Sequence, residues 1–381
     1  MLRSAAGDVA QPGVTRTGKY IMPPVRVLVV DDSVVVRKLL SEAIVSSPEI
    51  QLAGTASNGA IALARIPQLN PDVVTLDIEM PGLNGIETLT EIRKLYPKLP
   101  VIMFSTLTEQ GAEVTLEALS RGASDYLTKP TNSASLANAI EQVRRDLVAK
   151  ILSLGHRNRA SQPAPVLRAQ KRKTEANPIE ILAIGTSTGG PNALAEVIPQ
   201  FPPDFGVPVV IVQHMPPLFT RLLAERLDSQ SKLHVHEGRA GMPLDAGHVW
   251  IAPGDFHMRV VRKGLQAALE LNQEPPENSC RPAVDVLFRS VAQAYGPNVL
   301  AVVMTGMGSD GAHGAAHIRE AGGEIIVQDE ASSVVWGMPG AVLSSAGADL
   351  ICPLPEIGNQ VLRKVEASRL RTSNATARSA V

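Results

Sequence analysis

Residues 25–33 read VRVLVVDDS, a β-branched apolar run that stops on two aspartates. Four more short runs follow at helix-length intervals: IQLAGTA (50–56), DVVTLD (72–77), PVIMFS (100–105) and SDYLT (124–128). Strand-length runs alternating with segments of helical period predict five β/α units, and therefore a doubly wound parallel sheet over residues 25–150. Such a sheet places its chemistry at the carboxyl ends of its strands. Those ends carry Asp31 and Asp32, Asp77, Ser105 with Thr106, and Lys129 with Pro130. Clustered carboxylates repel one another unless a cation lies among them, so the pattern predicts an oxygen-rich Mg²⁺ site with a lysine nearby. A carboxylate beside such a cation can accept a phosphoryl group, and Asp77 is the predicted acceptor. One strand-end aspartate alone is more often a helix cap; five matching positions are harder to dismiss.

The length of 381 residues exceeds what one core usually organises, and the chain divides accordingly. Residues 1–24 hold scattered Gly, Pro, Ser and Thr and read as a flexible extension rather than a secretory signal. Periodicity stops again over 151–178, where GHRNRASQPAPVLRAQKRKTEANP reads as a basic, Pro- and Ala-rich linker. A second α/β pattern then occupies 179–370, carried by IEILAIG, VPVVIVQH, HVWIAPG, NVLAVVMTG and GEIIVQ, and 371–381 reads as a flexible tail. Lys plus Arg number 36 against 37 Asp plus Glu, which argues against a nucleic-acid or anionic-membrane partner. With only Cys280 and Cys352, no disulfide framework or structural zinc site is indicated, and a cytoplasmic location is expected. The longest apolar runs have strand length, so no membrane insertion is expected.

In ILAIGTSTGGP, Gly185, Ser187 and Gly189 have the spacing of a nucleophile elbow, a tight strand-to-helix turn that exposes a serine oxygen beside backbone N–H groups. A dinucleotide loop would need the full G-x-G-x-x-G spacing and an acidic residue ending the next strand; that strand ends in Gln213 and His214. Serine needs a base, and His214 ends the strand following the Ser187 unit. Asp310, in the glycine-rich MTGMGSDG after another apolar strand, is the carboxylate expected to orient it. His234 and His236 alternate on one strand and could form half a metal site, but more often such a pair marks a solvated face. His313 and His317 share a helix face without the glutamate of a zinc-protease motif, and packing or surface exposure is expected for them.

VVDDS, TLDIEMPGLNG, FST and DYLTKP resemble the response-regulator receiver family across 25–150. The resemblance implies that a histidine kinase phosphorylates Asp77, that Asp31, Asp32, Asp77 and the backbone of Glu79 hold Mg²⁺, and that Ser105 and Lys129 sense the phosphoryl group. Tyr126 matches the family's switch aromatic. GTSTGGP, VQHMPPLFTRLLAERL, IAPGDFHM, RPAVDVLF, TGMGSDGA and WGMPGAV resemble the chemotaxis protein-glutamate methylesterases along 179–365. That resemblance implies an α/β methylesterase domain behind the receiver, with Ser187, His214 and Asp310 as catalytic residues and Thr188 and Met307 beside the oxyanion site. It implies hydrolysis of glutamate γ-methyl esters, and deamidation of particular glutamines, on chemoreceptors, with no cofactor for the ester step. The unphosphorylated receiver is expected to cover the catalytic cleft until Asp77 is phosphorylated. The rival is a receiver fused to a non-catalytic nucleotide- or protein-binding module. A DNA-binding response regulator would need a basic recognition helix after the linker, where the sequence offers α/β alternation.

Overall fold

The computed structural model describes residues 23–129, 136–157, 177–264 and 266–379. The predicted extension, except Pro23 and Pro24, and linker residues 158–176 lie outside the described residues. The chain divides into two compact units, Met1–Ile102 with Pro130–Ala160, and Met103–Lys129 with Ser161–Val381.

In chain order the first half contains β1 (Val25–Val30), α1 (Val34–Val45), β2 (Ile50–Ala56), α2 (Gly59–Leu69), β3 (Val73–Asp77), α3 (Gly85–Leu95), β4 (Val101–Ser105), α4 (Glu109–Ser120), β5 (Asp125–Thr128) and α5 (Leu136–Arg157). The five strands have the order β2-β1-β3-β4-β5, and β1 pairs in parallel with both β2 and β3. Every residue of β3 and β4 is buried, which explains why these runs are continuously apolar instead of alternating. Helices start where the sequence supplies caps. Ser33, Asn58 and Asn84 accept from the N–H groups of Val36, Ile61 and Glu87, and Asn84 with Glu87 completes a capping box.

The second half adds β6 (Ile181–Thr186), α6 (Gly190–Val197), β7 (Val209–Gln213), α7 (Phe219–Gln230), β8 (His234–Glu237), β9 (His248–Ile251), β10 (His257–Lys263), β11 (Gln266–Asn272), α8 (Val284–Tyr295), β12 (Val299–Val303), α9 (Ala312–Ala321), β13 (Glu324–Gln328), α10 (Gly337–Ser345), β14 (Leu350–Cys352) and α11 (Leu354–Ser379). Seven strands form one parallel sheet in the order β14-β13-β12-β6-β7-β9-β8, and β10 and β11 form a separate antiparallel pair. Chain direction across the sheet reverses at β6, which lies between β12 and β7. That reversal is a switch point, where open α/β sheets leave a crevice beyond the strand ends. The apolar face of α8 fills one side: Val284, Leu287, Phe288 and Val291 join Ile181, Val212 and Val303 in one buried cluster. Each such large side chain contributes about 1.5–3 kcal/mol on burial.

Three features were not read from the sequence. The short edge strand β14 and the β10–β11 pair lack a long apolar run. α5 continues to Arg157, past the expected start of the linker at 151, and α11 continues to Ser379, through most of the expected tail. Neither segment contains a proline or the left-handed glycine that would stop a helix there.

Candidate active site

β6 delivers the chain to Ser187, and α6 begins three residues later. The reversal needs Gly189, whose φ of +79° is costly for any residue with a Cβ. Ser187 N–H donates to Thr305 O at 3.0 Å, while the Ser187 carbonyl accepts from Gly190 N–H at 2.7 Å and Gln213 Nε2 at 3.0 Å. The turn is thereby fixed on both sides. Gly306 closes over the serine; a Cβ at that position would lie 2.9 Å from Ser187 Cβ.

His214 follows β7, and its N–H donates to Thr186 O at 3.3 Å. Asp310 lies in the loop after β12, on the other side of β6, with 2 % exposure. The two side chains meet: His214 Nε2 is 2.7 Å from Asp310 Oδ2. The carboxylate also accepts from the N–H groups of Val284 at 2.6 Å, Asp285 at 3.0 Å and Gly311 at 2.9 Å, and from Asn278 Nδ2 at 3.0 Å. Val284 and Asp285 open α8, so the helix N-terminus also favours the negative charge. Burial alone raises the Asp310 pKa, yet the His214 and backbone donors hold it below the ordinary carboxylate range.

The other imidazole nitrogen, Nδ1, lies 3.5 Å from Cys280 Sγ. Burial lowers the His214 pKa, but hydrogen bonds with Asp310 and Cys280 outweigh it and leave the value at about 10. Among the described residues no hydrogen bond joins the Ser187 hydroxyl to His214, so the structure brings together the histidine and the carboxylate but leaves the serine unbonded to them. Ser187 is half-buried.

Thr188 is buried, and its hydroxyl donates to Asp125 Oδ2 at 2.6 Å while its carbonyl accepts from Thr305 Oγ1 at 2.8 Å. Met307 lies half-buried in the loop that leads to Asp310. Within the same unit, Asn192 of α6 donates to Leu119 O at 2.7 Å, Arg226 of α7 donates to Leu116 O at 2.6 Å, and Tyr126 stacks on Phe219 with centroids 4.8 Å apart. Burial and the Asp125 charge push the Tyr126 hydroxyl well above its usual pKa.

Asp31, Asp32 and Asp77 each offer a carboxylate oxygen, all within 4.8 Å of one another. Asp31 Oδ1 accepts from Ser33 N–H at 2.8 Å, and Asp77 Oδ1 from Glu79 N–H at 3.4 Å. A converging all-oxygen set of this kind fits a hard cation such as Mg²⁺. Ser105, the last residue of β4, is buried; its hydroxyl accepts from Thr115 Oγ1 at 2.7 Å and donates to Gly111 O at 3.1 Å. Lys129, following β5, is half-buried, and its N–H donates to Ser105 O at 2.7 Å.

Four polar residues at the site went unread in the sequence: Asn278, Cys280, Asp285 and Asp125. Asp285 stood inside the quoted RPAVDVLF, and its burial, which raises its pKa, is the signal that only the structure supplies. His313 and His317 are exposed. His234 and His236 lie on edge strand β8, where His248 of β9 pairs opposite His234.

The response regulator receiver domain family matches residues 27–141, and the CheB methylesterase family matches 182–361. A protein-glutamate methylesterase/protein-glutamine glutaminase of Trichodesmium erythraeum is 51 % identical over 351 residues, covering 90 % of this chain and 100 % of its own. A protein of the same name from a Nocardioides species is 51 % identical over 358 residues, covering 91 % and 97 %. The crystal structure of the Thermotoga maritima CheB methylesterase catalytic domain covers 50 % of this chain and 98 % of its own at 41 % identity, with a TM-score of 0.48. The class is a response-regulator enzyme, a receiver joined to an α/β catalytic domain. The chain belongs to the protein-glutamate methylesterase/protein-glutamine glutaminase family. Among the described residues no helix is long and apolar enough to cross a membrane.

Proposed function

We propose that this chain hydrolyses glutamate γ-methyl esters, and deamidates particular glutamines, on chemoreceptors, with Ser187 as nucleophile, His214 as base and Asp310 as its orienting carboxylate. The observation that carries the assignment is the 2.7 Å contact between His214 Nε2 and Asp310, made beyond the ends of the two strands that flank Ser187. Because Nε2 is committed to Asp310, Nδ1 takes the serine proton. Ser187 Oγ attacks the ester carbonyl, the imidazolium returns the proton to methanol as it leaves, and water activated by the same nitrogen cleaves the glutamyl-enzyme. For a glutamine substrate the leaving group is ammonia.

The N–H groups of Thr188 and Gly189 carry no hydrogen bond among the described residues and are the proposed oxyanion donors. One such donor contributes about 3 kcal/mol in comparable sites. Met307 lies in the loop beside them.

Phosphorylation at Asp77 by a histidine kinase controls the reaction. Asp31, Asp32 and Asp77, with the Glu79 backbone, are the proposed Mg²⁺ ligands, and Ser105, Lys129 and Tyr126 the residues that respond to the phosphoryl group. When bound, the cation offsets the charge that builds during phosphoryl transfer. The buried bond from Thr188, next to the nucleophile, to Asp125 supports a resting state in which β5 and α4 restrain the catalytic turn.

Methanol release from methylated receptor membranes, with and without acetyl phosphate, tests both parts. The wild type should release methanol faster with the phosphodonor, Asp77→Asn should lose that response, and Ser187→Ala should release none. Methanol release by Ser187→Ala at the wild-type rate would refute the assignment.

A further inference from the structure

We propose that Cys280 and His214 form an inhibitory site for a borderline-soft divalent cation, Zn²⁺ foremost, which switches the hydrolase off when occupied. The inference rests on the reading of His214 as the base. Zinc binds thiolate at about 2.3 Å and imidazole at about 2.0–2.1 Å, so a tetrahedral ion holds the two donor atoms about 3.5 Å apart. Cys280 Sγ and His214 Nδ1 are 3.5 Å apart. Together with Asp310 they form one of two groups among the described residues whose donor atoms lie within 4.8 Å of each other, and the only one that contains sulfur and nitrogen.

Asp310 completes the arrangement from outside. Metal-bound histidines commonly give their other ring N–H to a carboxylate, which fixes the tautomer and the ring plane. The 2.7 Å bond from Nε2 to Asp310 already does both. Cys280 is equally constrained, because it closes a two-residue turn in which Asn278 and Ser279 have φ of 52° and 63°. Glu277 N–H donates to Cys280 O at 3.1 Å, Cys280 N–H returns the bond at 2.8 Å, and Arg289 holds the Glu277 carboxylate through two contacts of 2.6 Å. Donors ordered in advance lose less freedom on binding.

The thiol is half-buried, so an ion can reach it, whereas the second cysteine, Cys352, is buried. A thiolate–imidazole pair selects zinc over magnesium, which prefers oxygen donors such as the aspartate cluster. An ion on Nδ1 takes the lone pair that would otherwise accept the Ser187 proton, so occupancy and catalysis exclude each other.

The test uses the full chain in zinc-buffered solution and reads two quantities: methanol release, and carbamidomethylation of Cys280 by iodoacetamide mapped by mass spectrometry. Zinc should inhibit release and slow alkylation of Cys280 by about tenfold or more, a chelator should reverse both, and magnesium should do neither. Cys280→Ala should require about tenfold more zinc for the same inhibition, and Asp77→Asn should keep the wild-type zinc response. Equal zinc sensitivity of Cys280→Ala, or alkylation of Cys280 indifferent to zinc, overturns the proposal. Alkylation reads the site without turnover. A zinc-protected Cys280 in a chain that releases no methanol would therefore sink the esterase reading alone, and an unprotected Cys280 in an active enzyme would sink the metal site alone.

Discussion

His214 meets Asp310 through Nε2, at 2.7 Å, and this one contact decides which end of the imidazole can work as a base. In the proposed mechanism that end is Nδ1, and Nδ1 faces a thiol. Burial lowers the His214 pKa, its hydrogen bonds with Asp310 and Cys280 more than reverse that, and the value is about 10. His214 therefore holds its proton to higher pH than an ordinary imidazole.

The pH profile follows from that protonation. Only the neutral imidazole accepts the serine proton, so kcat/KM should rise about tenfold per pH unit across the neutral range and level off as the pH nears the His214 pKa of about 10. Cys280→Ala removes one of the bonds that raise the pKa, so its profile should level off at lower pH. A profile flat from about pH 7 to 9 in the wild type would show that Asp310 and Cys280 do not hold the imidazole proton above its ordinary range. The sign for stability is opposite. A histidine raised above its unfolded value of about 6.5 stabilises the fold fully below that pH, and the contribution is lost as pH climbs through the folded pKa.

Asp310→Asn should be severe in two readouts. The carboxylate accepts from His214, Val284, Asp285, Gly311 and Asn278, and an amide NH₂ at either oxygen position would face donors with a donor. Stability should fall by about 1–3 kcal/mol in a denaturant titration, as expected for an unsatisfied buried donor. kcat should fall by about 10²-fold or more, because the imidazole loses its orienting charge. A variant with wild-type kcat would remove Asp310 from the mechanism.

Asp125→Ala should raise the activity of the unphosphorylated chain. Asp125 accepts the Thr188 hydroxyl at 2.6 Å, one residue from the nucleophile. Loss of about 1 kcal/mol of restraint corresponds to about a fivefold increase in released turns. Methanol release measured without phosphodonor checks this, and basal activity equal to or below wild type would count against restraint through Thr188.

Gly306→Ala tests the close approach over the serine. The added methyl would lie 2.9 Å from Ser187 Cβ and 2.3 Å from Met338 Sδ. kcat should drop while the far-ultraviolet circular dichroism stays native, since Met338 can yield but the Ser187 turn is fixed by backbone bonds. Unchanged kcat would show that the turn is more pliable than its hydrogen bonds suggest.

The strand ends were legible because parallel strands are buried on both faces. VVTLD and VLAVV announce themselves as apolar runs, and the polar residues just beyond them stand out. Ser187, His214 and Asp310 are the candidates that stand out that way. Cys280 and Asn278 were not, because they reach the site on a turn with two left-handed residues, between the β10–β11 pair and α8, that no periodicity marks. Asp285 hides inside an amphipathic helix, where an acidic residue at the first turn reads as ordinary; only burial beside Asp310 reveals it. Thr188 matched a family position, but its partner Asp125 comes from β5, and sequence spacing carries no sign of that pairing.

The measurement that tests the central claim most directly is fluorophosphonate labelling of the full chain followed by peptide mapping. The serine-directed probe should modify Ser187 alone, and His214→Ala should slow that modification by orders of magnitude while leaving the chain folded. Absence of label on Ser187, or the same labelling rate without the imidazole, would mean that the Gly-rich turn after β6 is not a nucleophile's seat.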